Sequence, residues 1–113
     1  HYETSDLPCT PGPEYALLNT AQKQQLQEPF TLSDAYNRVG IRLHETVPNQ
    51  LAEMLTSGVL PGTVQLTPSG KLIVLMRDAQ VTGGYPRVLQ LSEHSIAMLS
   101  QKVSGQSIRF VGY

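Results

Sequence analysis

The sequence has very little cysteine, and Cys9 is the only one in its 113 residues. One thiol cannot form an internal disulfide, so a disulfide-stapled secreted scaffold is excluded and a reducing compartment is favoured. We expect Cys9 to be a small apolar filler in a strand. The alternative interpretation, a catalytic nucleophile, lacks a nearby histidine in sequence that would activate the thiol.

Excess charge and long apolar runs are also lacking. Eight lysines and arginines stand against nine aspartates and glutamates, a balance that excludes the basic surface typical of nucleic-acid binding or polybasic membrane attachment. The longest apolar runs have a few residues, far fewer than the roughly 20 that span a bilayer, and no signal-peptide pattern opens the chain. We therefore expect a soluble, cytoplasmic, single-domain protein with neither nucleic acid nor membrane as a partner.

Metal-ligand and nucleotide-binding patterns are missing as well. His44 and His94 have no cysteine, histidine or carboxylate partner at a metal-ligand spacing, so we predict no metal site. A phosphate-binding P-loop needs a glycine, four residues and then Gly-Lys-Ser/Thr at the start of a helix. Between Gly62 and Lys71 the glycines are too far apart, and Lys71 precedes the pattern of a strand.

The most informative stretch covers residues 61–86. Pro68-Ser69-Gly70 separates two apolar, β-branched runs, which predicts a tight turn and hence a β-hairpin. Residues 72–76 are apolar without a break, the pattern of a strand that is buried on both faces.

Polar residues follow this second strand in quick succession. Arg77, Asp78, Gln80 and Thr82 come just before Gly83-Gly84, where a backbone without Cβ atoms lets a ligand or another chain approach closely. Polar groups that follow directly after a buried strand indicate a functional site. A solvated loop in which Asp78 caps a turn is the alternative interpretation.

Two arginines share one face of another predicted strand. Over residues 38–43, apolar positions alternate with Arg38, Gly40 and Arg42, so one face is buried and both arginines lie on the other. Such a pair is suited to clamp a carboxylate or a phosphate. The alternative is a solvated face with surface ion pairs, although Gly40 favours close approach by another group.

The remaining segments complete a mainly β domain of about five or six strands with two or three short helices. The closing strand is expected to pair inside a sheet or barrel, which removes an exposed edge. The predicted elements are a helical turn at 14–18, a helix at 20–28 capped by Thr20, a strand at 30–32, a helix or a loop with one strand at 49–58, a strand at 87–91, a helix capped by Ser92, and a strand at 107–111.

Four ordered motifs resemble the KipA family, which is also called allophanate hydrolase subunit 2-like, biotin-dependent carboxyltransferase-like or the C subunit of 5-oxoprolinase. Family members look like S-x-G-V-x-P-G-x-I-Q-x-P-P-x-G-x-P followed by L-x-x-D-x-Q-T-T-G-G-Y-P. Here G-V-L-P-G-T-V-Q occupies 58–65 and D-A-Q-V-T-G-G-Y-P occupies 78–86. T-P-G-P-E at 10–14 and N-R-V-G-I-R-L at 37–43 resemble two further family segments. The chain is therefore identified as a member.

The resemblance covers only the C-terminal half of a family member. We therefore expect residues 1–113 to be a single domain that forms part of a KipA-like protein of the carboxyltransferase type, with the N-terminal half absent. The chain departs from the family pattern in the hairpin, where Lys71-Leu72 replaces Gln-Pro. It also departs at Asn37, which removes a charge beside Arg38, and at Val81, which removes a hydroxyl beside the candidate site.

The resemblance implies a cyclophilin-like β-barrel and a role in ATP-dependent hydrolysis of 5-oxoproline (pyroglutamate) to glutamate. The implied partners are a KipI-like B subunit together with a LamB/YcsF-like A subunit, with ATP used by the assembled complex and not bound by this chain alone. Association with further copies of itself is compatible with the resemblance. One alternative is a non-catalytic KipA-type protein that binds and antagonises a KipI-like inhibitor of a sensor kinase. Another is the carboxyltransferase domain of a urea carboxylase or allophanate hydrolase-like system.

Under this resemblance the candidate residues receive roles toward a small amide substrate. The arginines are placed near its carboxylate or a phosphate, and amide and hydroxyl groups supply hydrogen bonds. Asp78 positions a water molecule or accepts a proton. The alternative is that each residue only holds its own loop. The predicted catalytic residues are Asp78, Gln65 and Arg38, and the predicted substrate-binding residues are Arg42, Gln80, Thr82, Gly83, Gly84 and Tyr85.

Overall fold

The computed structural model describes residues 4–34, 40–52, 57–77 and 82–113, with the backbone alone at 57–58 and 82–83. It contains nine strands, two α-helices and one 3-10 turn within these ranges. The strands are β1 Ser5–Pro11, β2 Phe30–Thr31, β3 Gly40–Thr46, β4 Ser57–Gly58, β5 Thr63–Leu66, β6 Lys71–Leu75, β7 Thr82–Gly83, β8 Arg87–Leu91 and β9 Ser107–Val111. The 3-10 turn is Tyr15–Leu17, and the helices are α1 Thr20–Leu26 and α2 Glu93–Ser100.

Seven strands form one sheet that curls into a nearly closed barrel. Their order is β2-β9-β1-β8-β5-β6-β3, and a bridge between Leu32 and Leu43 joins the two ends. β1 and β9 run parallel, and the other pairs in the barrel are antiparallel. β4 and β7 form a separate ribbon. The predicted mainly β barrel is confirmed, and the closing strand β9 is paired on both sides.

The core fills the inside of the barrel through period-two alternation along each strand. Val74 of β6 lies opposite Ile41 on one side and opposite Val64 on the other. Each such side chain contributes on the order of 2 kcal/mol when it is fully buried. The inward residues are Leu7, Cys9, Phe30, Leu32, Ile41, Leu43, Val64, Leu66, Leu72, Val74, Leu89, Leu91, Ile108 and Phe110.

The predicted hairpin between β5 and β6 is confirmed. Thr67 N donates to the Lys71 carbonyl at 2.9 Å, and Gly70 N donates to the Thr67 carbonyl at 2.9 Å. Gly70 has a φ of 87°, a left-handed conformation that a side chain would strain. The turn therefore fixes which residues of β5 and β6 face each other.

Both helices begin at side-chain caps. Ser92 caps α2 as predicted, since its Oγ accepts a hydrogen bond from Ser95 N at 3.1 Å. At α1 the predicted cap is wrong by one residue: Asn19 is the N-cap, and it exchanges 2.8 Å hydrogen bonds with Gln22 in a capping box. Within the described ranges, no helix has the length and apolar character needed to cross a bilayer.

The helix considered for residues 49–58 is not formed in the part that the structure describes. Asn49 Nδ2 donates to the carbonyls of Val47 and Thr67, both at 3.1 Å, and Asn49 Oδ1 accepts from Leu51 N at 3.1 Å. These bonds hold residues 49–52 as an irregular loop, since the side chain satisfies backbone groups that a helix would use. Residues 53–56 lie outside the described residues.

Candidate functional site

A row of side chains crosses the outer face of the barrel where β3, β6, β5 and β8 lie side by side. Arg42 is paired with Ile73, Ile73 with Gln65, and Gln65 with Arg87. Residues that are directly opposite each other in an antiparallel sheet point to the same face. Arg42 and Gln65, which are 23 positions apart in sequence, are therefore neighbours in one row, separated by Ile73 alone.

A cavity of about 510 Å³ lies over the Arg42 end of this row. The hairpin turn, β3 and the segment before β8 contribute its walls. A volume of this size suits a small molecule, because ligand pockets commonly measure roughly 300–1,000 Å³. The lining residues are Ser33, Arg42, Leu43, Thr67, Pro68, Ser69, Lys71, Ile73 and Tyr85.

The cavity carries positive charge. Arg42 and Lys71 both line it, and the lining contains no carboxylate from the part of the chain that the structure describes. Lys71 Nζ donates to the backbone carbonyl of His44 at 3.2 Å. Glu45 lies on the same strand as Arg42, but its carboxylate accepts hydrogen bonds from Thr31 N at 2.6 Å and Thr31 Oγ1 at 2.9 Å. The two cations therefore have no ion-pair partner among the residues that the structure describes.

Two hydroxyl groups stand at the turn end of the cavity. Thr67 Oγ1 and Ser69 Oγ are 2.9 Å apart, and Thr67 Oγ1 also accepts from Lys71 N at 3.1 Å. Whichever hydroxyl donates within this pair, the proton of the other is left over. The turn thus offers one hydroxyl donor beside the two cations.

Gln65 places a buried donor in the same row without a partner. Its side chain is 4% exposed, and Nε2 has no hydrogen-bond partner among the described residues. A buried donor that is left unpaired costs roughly 1–3 kcal/mol, which makes Gln65 Nε2 a candidate donor to a further group. Gln65 is not itself among the lining residues of the cavity.

A protein-family model described as "Carboxyltransferase domain, subdomain A and B" matches residues 1–112. The chain belongs to this family. The assignment that the sequence motifs predicted is therefore confirmed for this carboxyltransferase-domain chain.

Named relatives agree with the family match. The C subunit of the 5-oxoprolinase of Escherichia coli K12 is 42% identical over 104 residues, which are 89% of this chain and 34% of that protein. The protein of the same name from Haemophilus influenzae is 36% identical over 103 residues, 88% of this chain and 33% of that protein. The carboxyltransferase-domain chain thus spans about a third of the length of these curated relatives.

Solved structures show the same fold. The crystal structure of the urea carboxylase of Kluyveromyces lactis covers 98% of this chain with a TM-score of 0.87, while the chain covers 11% of that protein. The sequence identity is 16%, so this likeness concerns the fold alone.

The structure brings some of the predicted site residues of this carboxyltransferase domain together. Arg42 and Tyr85 line the same cavity, and Gln65 lies in the same row of the sheet. Ile73 is only half-buried although the unbroken apolar run predicted burial on both faces, because the cavity lies beside it.

The backbone at Gly83-Gly84, which was predicted to be open to a ligand, is partly engaged in a β-ribbon. Gly83 and Thr82 pair with Ser57 and Gly58 in the β4–β7 ribbon, so part of this backbone is used for sheet hydrogen bonds. Gly84 is half-buried and leads directly to Tyr85. Three predicted site residues lie outside the described residues: Arg38, Asp78 and Gln80.

Sequence reasoning missed the pair that anchors the segment next to Tyr85. Glu14 Oε1 accepts hydrogen bonds from Arg87 N at 2.9 Å and Arg87 Nε at 2.8 Å, and Glu14 Oε2 accepts from Nη2 at 3.0 Å. The hydrogen bonds from Arg87 hold the pKa of the Glu14 carboxyl below its ordinary value. From the other side, Leu66 N donates to the Pro86 carbonyl at 3.0 Å. The backbone just after Tyr85 is therefore held by hydrogen bonds on both sides, and Tyr85 itself lines the cavity.

Lys71 was also missed as a site residue, although the sequence held a signal for it. In the predicted hairpin, Lys71 alternates with Leu72 and shares a face with Ile73, opposite the strand that carries Arg42 once β3 and β6 are paired. Glu14 and Arg87 had no such signal, because nothing local connects residues 73 positions apart.

Cys9 is a filler of the barrel core, as expected. Its side chain is 5% exposed, its Sγ lies 3.6 Å from the Val111 carbonyl, and burial raises the pKa of its thiol to about 12. A thiol that stays protonated at neutral pH is a poor nucleophile. In the described part of the chain, no group of three or more histidine, cysteine, aspartate or glutamate side chains is placed to hold a metal ion.

Proposed function

We propose that this chain is part of a subunit of an ATP-dependent amidohydrolase complex that hydrolyses 5-oxoproline to glutamate. The observation that carries the proposal is the 42% identity to a 5-oxoprolinase C subunit over 89% of the chain. The cationic cavity supports it, because 5-oxoproline carries a carboxylate next to a ring amide, and Arg42 suits the first of these groups.

The reaction adds water across an amide bond that resonance protects. ATP would supply the driving force by activating the amide oxygen as a phosphoryl acceptor. Lys71 begins β6 and not a helix, so this part of the chain offers no P-loop, and we assign ATP binding to the assembled complex. Its partners in the proposal are a KipI-like B subunit together with a LamB/YcsF-like A subunit in the cytoplasm.

Each described residue has a separate task in this proposal. Arg42 binds the substrate carboxylate through its guanidinium fork. Gln65 keeps the role predicted from sequence, a donor to the amide oxygen, and its Nε2 has no hydrogen-bond partner among the described residues. Because Gln65 lies beside the cavity and not in its lining, this role requires the substrate to reach past Ile73. Tyr85 closes one wall of the cavity. From sequence, Asp78 orients the attacking water or takes its proton, with Arg38, Gln80 and Thr82 beside it.

The proposal is tested with the full-length protein reconstituted with its two partner subunits. Glutamate and ADP release are measured with 5-oxoproline as substrate. We expect Arg42→Gln to raise KM about tenfold or more, because a charged hydrogen bond to the carboxylate is lost. Arg109→Gln is the matched control, since Arg109 is an exposed arginine of β9 and does not line the cavity. Asp78→Ala and Arg38→Ala are expected to lower kcat on the order of a hundredfold.

Two results would contradict the proposal. One is an assembled complex that leaves 5-oxoproline intact with ATP present, which would favour the regulatory alternative in which the chain only binds a KipI-like protein. The other is an equal response of KM to Arg42→Gln and Arg109→Gln, which would remove Arg42 from the site. The match to a family described as a carboxyltransferase domain leaves carboxyl transfer as the second candidate, and the likeness to urea carboxylase adds only the fold.

A further inference from the structure

We infer that Lys71 and Arg42 together form an oxyanion-binding site at the turn end of the cavity, with Lys71 as a specificity-determining residue. The ligand class is a compact oxyanion, either a carboxylate or a phosphate. The carboxylate of 5-oxoproline as the first source rests on the proposed function, whereas the site itself rests on the positions of the two cations and of the hydroxyl groups beside them.

Arg42 and Lys71 both line the cavity, from neighbouring strands. Arg42 pairs with Ile73, and Thr46 pairs with Lys71, with a register shift between these two pairs because four positions of β3 face two of β6. Lys71 and Ile73 are two positions apart on β6, and both line the cavity together with Arg42. Side chains two apart on a strand share a face, which brings both cations to the same opening.

The described lining of the cavity has an excess of positive charge. No carboxylate is among the described residues that line the cavity, and Glu45, the carboxylate on the strand of Arg42, is held by two hydrogen bonds from Thr31. Arg42 and Lys71 are both exposed, so solvent screens their charges, but two like charges beside one cavity still favour an anion over a cation there. An anion is therefore the ligand that this arrangement favours.

Several hydrogen-bond donors lie beside the two cations. The Lys71 ammonium uses one of its three protons on the His44 carbonyl, which fixes the amine and leaves two protons for a ligand. The guanidinium of Arg42 adds a planar fork, and the Thr67–Ser69 pair adds one hydroxyl proton. Such a set of donors matches an oxyanion with two or three acceptor oxygens.

The cavity also has an apolar side, which would contact the uncharged part of a ligand. Ile73, Pro68 and Tyr85 give the cavity an apolar side next to the cations. A small molecule with a charged group at one end and a compact apolar body fits this division. A free phosphate would use only the charged end, so the two sources of the oxyanion differ in which part of the cavity they need.

The test uses titration calorimetry to measure binding to the full-length protein without ATP or turnover. The probes are 5-oxoproline, its neutral carboxamide and inorganic phosphate. The variants are Lys71→Gln, Lys71→Arg and the control Lys23→Gln. Lys23 lies on α1, where its Nζ is 5.0 Å from the centre of the Tyr15 ring and away from the lining residues. Lys71 is exposed, so Lys71→Gln is expected to fold.

We expect Lys71→Gln to weaken oxyanion binding by roughly ten- to a hundredfold, the loss of one charge-assisted hydrogen bond. Lys71→Arg should retain most of the affinity, and Lys23→Gln should leave it unchanged. If 5-oxoproline binds and its carboxamide does not, the carboxylate is the source. If phosphate alone binds, and does so through Lys71, the site is confirmed with phosphate as the source.

Two outcomes would overturn the inference. One is equal binding by the wild type and Lys71→Gln, and the other is a wild-type protein that binds none of the three probes. Each outcome is separate from the fate of the proposed function. If the wild-type and Lys71→Gln complexes hydrolyse 5-oxoproline with the same KM, the proposed function stands and this site is refuted. If the protein binds the oxyanion through Lys71 but the complex does not hydrolyse 5-oxoproline, the site stands and the proposed function is refuted.

Discussion

Glu14 binds Arg87 through three hydrogen bonds, although the two residues are 73 positions apart in sequence. The pair joins the segment before the 3-10 turn to the start of β8. Because Arg87 lies two residues after Tyr85, the pair also restrains the backbone that carries Tyr85. Arg77 and Glu93 form an ion pair at the same N to O distance of 2.8 Å, but their side chains are 56% and 77% exposed, against 27% for Arg87 and 9% for Glu14.

This contrast predicts unequal costs for removing the two carboxylates. Glu14→Gln should lower the free energy of unfolding by about 2 kcal/mol, because Arg87 keeps its charge in a half-buried place with weaker partners. Glu93→Gln, the matched control on the surface, should cost no more than about 0.5 kcal/mol. Urea denaturation of both variants measures the difference. Equal costs would show that the first pair contributes no more than a surface contact.

The same pair predicts a dependence of stability on pH. The hydrogen bonds from Arg87 lower the pKa of Glu14 below its ordinary value of 4.5. The ionised carboxylate therefore stabilises the fold fully above that ordinary pKa, and its contribution is lost as the pH falls through the lowered pKa of the folded state. Stability measured from neutral to acid pH should fall more steeply in the wild type than in Glu14→Gln. Parallel curves would contradict this assignment.

Gln65 offers a test that separates function from folding. Because Nε2 is buried without a partner among the described residues, replacing Gln65 by Met of similar volume should raise the free energy of unfolding by about 1 kcal/mol or leave it unchanged. The same change should lower turnover of the reconstituted complex, since the donor proposed for the substrate amide is gone. Thermal unfolding and activity are measured on one preparation. A destabilised variant would mean that Gln65 has a structural partner in the folded protein.

Gly12 is predicted to be intolerant of any side chain. A Cβ at this position would overlap the Arg87 carbonyl oxygen, because Gly12 N donates to the neighbouring Val88 carbonyl at 2.9 Å. Gly12→Ala should therefore cost roughly 1–3 kcal/mol through displaced backbone. Gly105→Ala is the comparison: nothing lies within 4 Å of a Cβ there, and only the φ of 89° opposes the change. A smaller loss at Gly12 than at Gly105 in urea denaturation would refute the steric explanation.

The thiol of Cys9 is predicted to be inert in the native protein. Burial raises its pKa to about 12, so the thiolate is essentially absent at neutral pH. Iodoacetamide at pH 8 should leave the peptide that contains Cys9 unmodified until denaturant is added, as followed by mass spectrometry. Rapid native alkylation at this position would contradict its place in the core.

The sequence was most informative where the determinants of structure are local. The hairpin could be predicted because Pro68-Ser69-Gly70 defines its own turn, and the start of α2 because Ser92 supplies its own cap. The correct cap of α1 was also within reach. Asn19 with Gln22 three positions later is a capping-box pattern, whereas Thr20 has no such partner.

The candidate site depends on relations that the sequence does not contain locally. The hairpin turn sets Gln65 opposite Ile73, but no turn sets β3 against β6, so the position of Arg42 beside Ile73 follows only from the closed barrel. The loop at 49–52 likewise depends on a tertiary contact, since Asn49 binds the carbonyl of Thr67. A helix would be consistent with its local sequence alone.

The parallel pairing of β1 with β9 has a mechanical consequence. Ser5 lies beside Ile108, and Pro8 beside Val111, so tension applied between positions 5 and 111 would pull the two strands past each other along their length. The hydrogen bonds between them would then be loaded together in shear and not opened one at a time. Pulled along this axis, the barrel should behave as a stiff element that resists extension until the whole ladder ruptures at once.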